Sequence, residues 1–146
     1  MTQEQKDLLL KDLCGRLPYE VKVQTTYINP QTKERKDIGM DILSTVEISM
    51  LIEGSEEHKP YLFPLSSMTE GQAEELFGIF GLKCPSTEED YIKINEVTGI
   101  TFFLLNGFDV ETHLDKLFDW LNKNHFDYRG LIPKDLAIDS TGLNIY

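Results

Sequence analysis

Ile38-Gly39-Met40-Asp41-Ile42-Leu43-Ser44-Thr45-Val46-Glu47-Ile48-Ser49-Met50-Leu51-Ile52 is the stretch on which the fold turns. Ile38, Met40, Ile42, Val46, Ile48, Met50 and Ile52 fall on even positions, and only Ser44 interrupts the row. Odd positions carry Gly39, Asp41, Thr45, Glu47 and Ser49, with Leu43 and Leu51 as exceptions. A period of two is that of a half-buried β-strand, so the stretch predicts a strand with one buried and one wet face. At about 3.3 Å per residue it would run roughly 50 Å, too long for a flat strand in a small domain, which predicts a bend or bulge near Ser44-Thr45.

Working upstream, Val21, Val23 and Tyr27 alternate with Lys22 and Gln24, and Asn29-Pro30-Gln31-Thr32-Lys33-Glu34 has the residues to reverse the chain. The two runs predict a first hairpin with residues 38–44 as the partner strand. Downstream, Gly54-Ser55-Glu56-Glu57 predicts a second turn, with His58 solvated in its charged surroundings. Tyr61-Leu62-Phe63 follows as an edge strand limited by Pro60 and Pro64, because proline has no N–H to give a ladder. Tyr91-Ile92-Lys93-Ile94 and Ile100-Thr101-Phe102-Phe103-Leu104 predict another hairpin, and the tail from Gly130 predicts coil ending in an apolar strand, Leu143-Asn144-Ile145-Tyr146.

Three helix starts are legible. Thr2 with Gln5 and Thr69 with Gln72 have the capping-box spacing, in which a hydroxyl accepts one orphan N–H while the glutamine reaches back to the cap. Leu9, Leu10 and Leu13 follow the first and Ala73, Leu76, Phe77 and Phe80 the second, with Gly15 and Gly81 as the stops. A third helix starts at Asp109 and carries Val110, Leu114, Leu117, Phe118 and Leu121 on one stripe. These elements predict an α+β fold, a mainly antiparallel sheet built from hairpins with about three helices packed on it, in a single domain spanning residues 1–146.

The composition fits a folded protein: 40% apolar and 27% charged residues in a chain of 146. Fourteen basic against twenty-five acidic residues give −11, which argues against direct binding of nucleic acid and against docking on an anionic membrane. Residues 61–119 hold three basic and eleven acidic side chains, net −8, so most of the excess sits there. Glu74, Glu75, Glu88 and Glu89 concentrate around the second helix, and Glu111, Asp115 and Asp119 recur at four-residue spacing. Such a face keeps a protein soluble, and it also suits steering of a basic protein partner or mimicry of nucleic-acid charge. The N-terminus lacks the basic start and apolar stretch of an export signal, and no apolar run approaches the roughly 20 residues of a membrane span. Cys14 and Cys84 have neither metal-ligand spacing nor a disulfide framework, so a cytoplasmic setting with reduced thiols is expected.

No nucleophile elbow, P-loop, dinucleotide fingerprint or metalloprotease motif occurs in the chain. His113 and His125 stand twelve positions apart, too far to share one metal from a helical face, so no metal site and no cofactor are expected. The densest cluster of versatile side chains is His125-Phe126-Asp127-Tyr128-Arg129-Gly130, followed by Asp135 and Asp139. His125 with Asp127 or Asp139 has the chemistry of an acid–base pair, Arg129 can grip a carboxylate or phosphate, and Tyr128 can donate a hydrogen bond. The bland counterpart is an ion pair from Arg129 to Asp127 or Asp139 that fixes the tail.

Lys6-Asp7-Leu8-Leu9-Leu10-Lys11-Asp12-Leu13-Cys14-Gly15-Arg16-Leu17-Pro18-Tyr19, Lys59-Pro60-Tyr61-Leu62-Phe63-Pro64-Leu65-Ser66-Ser67-Met68-Thr69 and the stretch from Asp127-Tyr128-Arg129-Gly130 to Gly142-Leu143-Asn144-Ile145-Tyr146 together resemble a family of short uncharacterised proteins common in anaerobic gut bacteria and their prophages. The resemblance implies a bacterial, cytoplasmic setting and a mobile-element role, and brings no activity with it. The leading expectation is therefore a non-enzymatic accessory protein that binds a protein partner through an exposed surface of the sheet, the acidic face (Glu74, Glu75, Glu88, Glu89) or the C-terminal segment (Tyr128, Arg129). The alternative is a small hydrolase built from His125, Asp127, Arg129 and Asp139. A further alternative is an acidic nucleic-acid mimic. Oligomeric state is open, with the strand at Tyr61-Leu62-Phe63 as a candidate self-pairing edge.

Overall fold

A computed structural model describes residues 1–81 and 114–146. Its elements are α1 (Gln3–Arg16), β1 (Lys22–Ile28), β2 (Arg35–Ile42), α2 (Thr45–Glu53), β3 (Glu56–Pro64), α3 (Glu70–Ile79), α4 (Leu114–Lys123), β4 (Phe126–Asp127) and β5 (Ile138–Asp139). The fold is α+β. The expected hairpin at 91–104, His113, Cys84, Glu88, Glu89 and the expected helix start at Asp109 lie outside the described residues.

The described chain divides into two compact units, Met1–Leu62 with Gly130–Tyr146, and Phe63–Arg129. In the first, β1 is central: it pairs antiparallel with β2, from Lys22↔Ile42 to Ile28↔Arg35, and antiparallel with β3, from Val23↔Pro60 to Tyr27↔Glu56. The connection between β1 and β2 turns at Asn29, whose side-chain oxygen accepts the N–H groups of Gln31 and Thr32, as the turn residues predict. β3 also pairs parallel with β5 at Tyr61↔Ile138 and Leu62↔Asp139, so the sheet is mixed.

The long even-numbered row is divided between two kinds of element. Only residues up to Ile42 belong to a strand; Ser44 caps α2, its hydroxyl accepting the Val46 N–H while the Glu47 carboxylate accepts the Ser44 N–H at 2.8 Å. Gly54, expected in a hairpin turn, takes φ +75 as the left-handed C-cap of this helix. The break expected near Ser44 is thus a change of secondary structure. The buried face differs too: Ile38, Met40 and Ile42 are 59%, 53% and 50% exposed, whereas the exceptions to the row, Leu43 and Leu51, are buried. Leu43, Ile48 and Leu51 join Leu9 and Leu13 of α1, Val21 and Val23 of β1, and Leu62 of β3 in the core of this unit.

β3 departs from the expected short edge strand. It runs nine residues with β1 on one side and β5 on the other, and Pro60 opposes Val23 one residue before the pairing with β5 begins. His58 is fully buried, not solvated, because positions 56, 58, 60 and 62 share the face that carries Leu62. Two smaller boundaries move as well. α1 continues through Gly15, and the left-handed residue after it is Glu20 at φ 52; the tail forms β5 instead of a strand at 143–146, and the Tyr146 hydroxyl accepts the Lys22 N–H and donates to the Tyr61 carbonyl.

In the second unit, α3 begins with the expected Thr69–Gln72 capping box and buries Ala73, Leu76, Phe77 and Phe80. On α4 the buried side is Leu117, Trp120 and Leu121; Leu114 and Phe118 of the expected stripe are exposed. Trp120 stacks on Phe126 with ring centroids 5.7 Å apart, and β4 pairs with Phe63 and Pro64, of which Phe63 packs against this core. No helix among the described residues is long and apolar enough to cross a membrane.

Candidate functional site

The segment richest in chemistry by sequence is built into the second unit. α4 ends in a turn in which the His125 N–H donates to the Asn122 carbonyl, and His125 takes a left-handed φ of 58. Its carbonyl then accepts the Phe63 N–H at 2.9 Å, so the histidine backbone is part of the pairing that holds β4. Asp127 and Tyr128 are buried. The Arg129 guanidinium lies over the Tyr128 ring, 4.8 Å from its centroid, a cation–π arrangement that orients both side chains. Asp139 belongs to the first unit, on β5, where its carboxylate is exposed and accepts the Thr141 N–H at 2.9 Å.

The acidic candidates divide in a similar way. Glu74 is exposed on α3, whereas the Glu75 carboxylate accepts the Trp120 indole N–H at 3.2 Å and so ties α3 to α4. Asp115 and Asp119 are exposed on α4. No three His, Cys, Asp or Glu side chains among the described residues are placed to hold a metal ion.

A second arrangement, which sequence reading missed, lies in the first unit between β2 and α2. A groove of about 310 Å³ opens there. Ile38, Gly39, Met40 and Asp41 of β2, Val46, Glu47 and Met50 of α2, Thr25 of β1 and Glu56 of β3 line it, so apolar and acidic residues share its surface, and no Lys or Arg is among its described lining residues. The β1–β2 register shifts at Thr25/Thr26, so a bulge falls beside Ile38 and Gly39, the latter at φ +135. A bulge of this kind re-aims the side chains next to it, and both residues line the groove.

Three of these lining residues also surround His58. Its Nδ1 lies 3.1 Å from the Thr25 hydroxyl and its Nε2 3.4 Å from the Glu56 carboxylate. The carboxylate favours the tautomer with the proton on Nε2, which leaves Nδ1 to accept from Thr25. Burial pushes the His58 pKa down, against the opposing pull of Glu56 and Glu47, so the ring is held neutral. Burial would raise Glu47, but the Ser44 hydroxyl and backbone N–H groups outweigh it and hold this carboxylate below its ordinary range. The groove therefore presents acidic residues with no cation among its described lining residues.

A smaller pocket of about 240 Å³ elsewhere in this unit holds Arg35, Lys59 and Lys134, but each is engaged: Arg35 with Glu57, Lys59 with Asp135 at 2.6 Å, and Lys134 with the Gly130 carbonyl at 3.0 Å. Lys59 in turn holds the Asp135 carboxyl below the usual range. Neither pocket includes His125, Asp127, Arg129 or Asp139.

Of the row Ile38, Met40, Ile42, read from the sequence as a buried face, Ile38 and Met40 are among the groove's lining residues. Comparison of the chain with family models, with curated proteins and with solved structures gives no match.

Proposed function

We propose that this chain is a non-enzymatic protein-binding module of the bacterial cytoplasm that engages its partner through the edge and apolar row of β2. One observation carries the reading: every residue of an eight-residue strand is exposed, Ile38, Met40 and Ile42 at half or more, and among the described strands β2 pairs with β1 alone. A long strand edge with unpaired backbone groups is a template for another chain, and an apolar row beside it adds side-chain contacts. Strand addition needs no catalytic group, which agrees with the lack of a nucleophile or metal motif in the sequence.

The test is affinity capture from bacterial cytoplasm with the intact chain and with Ile42→Glu, bound proteins being identified by mass spectrometry. Ile42 is half exposed, so a charge there leaves the core intact. Proteins retained by the parent and lost by the variant support the reading; identical capture by both overturns it.

A further inference from the structure

The groove beside β2 says more about the partner than the strand edge does. Its lining joins the apolar Val46 and Met50 of α2 to three acidic residues, Asp41, Glu47 and Glu56. That combination is poorly matched to a purely apolar side chain, which would strip water from carboxylates and return no hydrogen bond. It matches arginine and lysine, whose methylene stems lie on apolar surface while the charged head reaches an acceptor. His58, neutral and fully buried beside Thr25 and Glu56, supplies no competing cation. A strand added to β2 would direct alternate side chains toward this face.

A second copy of the chain is the weaker occupant. A second copy brings its own bulge at Ile38 and Gly39 to the pairing, whereas a regular extended segment of another protein meets only one. We propose that the groove, with the edge of β2 that no described strand covers, binds a basic, extended segment of another protein, one arginine or lysine side chain pairing with the acidic residues Asp41, Glu47 and Glu56 that line it. The proposal rests on the reading of the chain as a protein-binding module and names the chemistry of its partner.

The chain has four methionines, of which Met40 and Met50 line the groove and Met68 is buried in the other unit. Methyl NMR of the full chain labelled at methionine then reads the site directly. The probe is an acetylated peptide of about ten residues alternating Val with Arg, with Glu in place of Arg as its control. The Arg peptide is expected to move the Met40 and Met50 signals and leave Met68 in place, with the effect weakened by salt. Asp41→Lys, at an exposed position, is expected to lower the apparent affinity about tenfold, the size of an exposed ion pair turned into a repulsion. No movement of Met40 and Met50, equal movement with the Glu peptide, or full affinity in Asp41→Lys would overturn the proposal. A dimer by light scattering that Asp41→Lys disperses would overturn it too and assign the surface to a second copy. Ile42 is not part of the groove lining, so loss of captured proteins in Ile42→Glu would preserve the binding-module reading even if the peptide failed.

Discussion

β3 and β2 flank β1 in the same antiparallel sense, yet His58, Pro60 and Leu62 of β3 are buried at alternate positions whereas all eight residues of β2 are exposed. β3 has pairing partners on both sides, and its buried face joins the core through Leu62. β2 has an apolar row too, but Ile38, Met40 and Ile42 are half exposed or more and none belongs to a core cluster of the described residues. Periodicity thus reports that a strand has two unlike faces, and the packing decides whether the apolar one is stabilising the fold or displayed.

The largest expected effect separates the two strands by stability. Leu62→Ala removes a fully buried side chain and is expected to cost about 2–5 kcal/mol in denaturant unfolding, while Met40→Ala stays within about 0.5 kcal/mol. A comparable loss in both would mean that β2 is packed in solution, and the contrast would fail.

Next in size is Thr25→Val, which keeps the side chain's shape and leaves His58 Nδ1 buried without its hydroxyl. The expected loss is about 1–3 kcal/mol. The same histidine gives the fold a pH dependence of known sign. Its folded pKa lies below the unfolded value of about 6.5, so between the two the unfolded chain binds more protons. Stability is full above about pH 6.5 and falls as the pH drops from there toward the folded pKa. Denaturant midpoints at about pH 7.5 and about pH 5.5 check this, and His58→Gln is expected to flatten the difference.

α2 shows why part of the fold was legible in the sequence and part was not. Val46 and Met50, and Ile48 and Ile52, are four residues apart, so they satisfy a period of two and the i, i+4 spacing of a helix equally. The discriminating residues were those that broke the row: Leu51 lies three after Ile48, and Ser44 three before Glu47 is a capping-box pattern. Thr2 and Thr69 were read correctly because no competing alternation surrounded them. His58 was misplaced for a related reason: Glu56, Glu57 and Lys59 make its neighbourhood look wet, but a strand sends alternate residues to opposite faces. The groove was not legible at all, since it needs both the strand-to-helix switch at Ser44 and the bulge at Ile38-Gly39. Ser44→Ala, measured by unfolding, is expected to cost about 1 kcal/mol, the value of a helix N-cap.

The smallest expected effect on stability is the sharpest test of what β2 is for. Ile42→Thr keeps β-branching, which suits a strand, and replaces an apolar contact surface that is half exposed. Unfolding stability is expected to change by less than about 0.5 kcal/mol, because little area leaves or enters water in the free chain. A residue can be dispensable for folding and still be needed for an interface, since the area it buries is buried only in the complex. Unchanged unfolding together with weakened capture would place Ile42 in that class. A stability loss above about 1 kcal/mol would instead make the row part of the fold, and β2 would become a second β3.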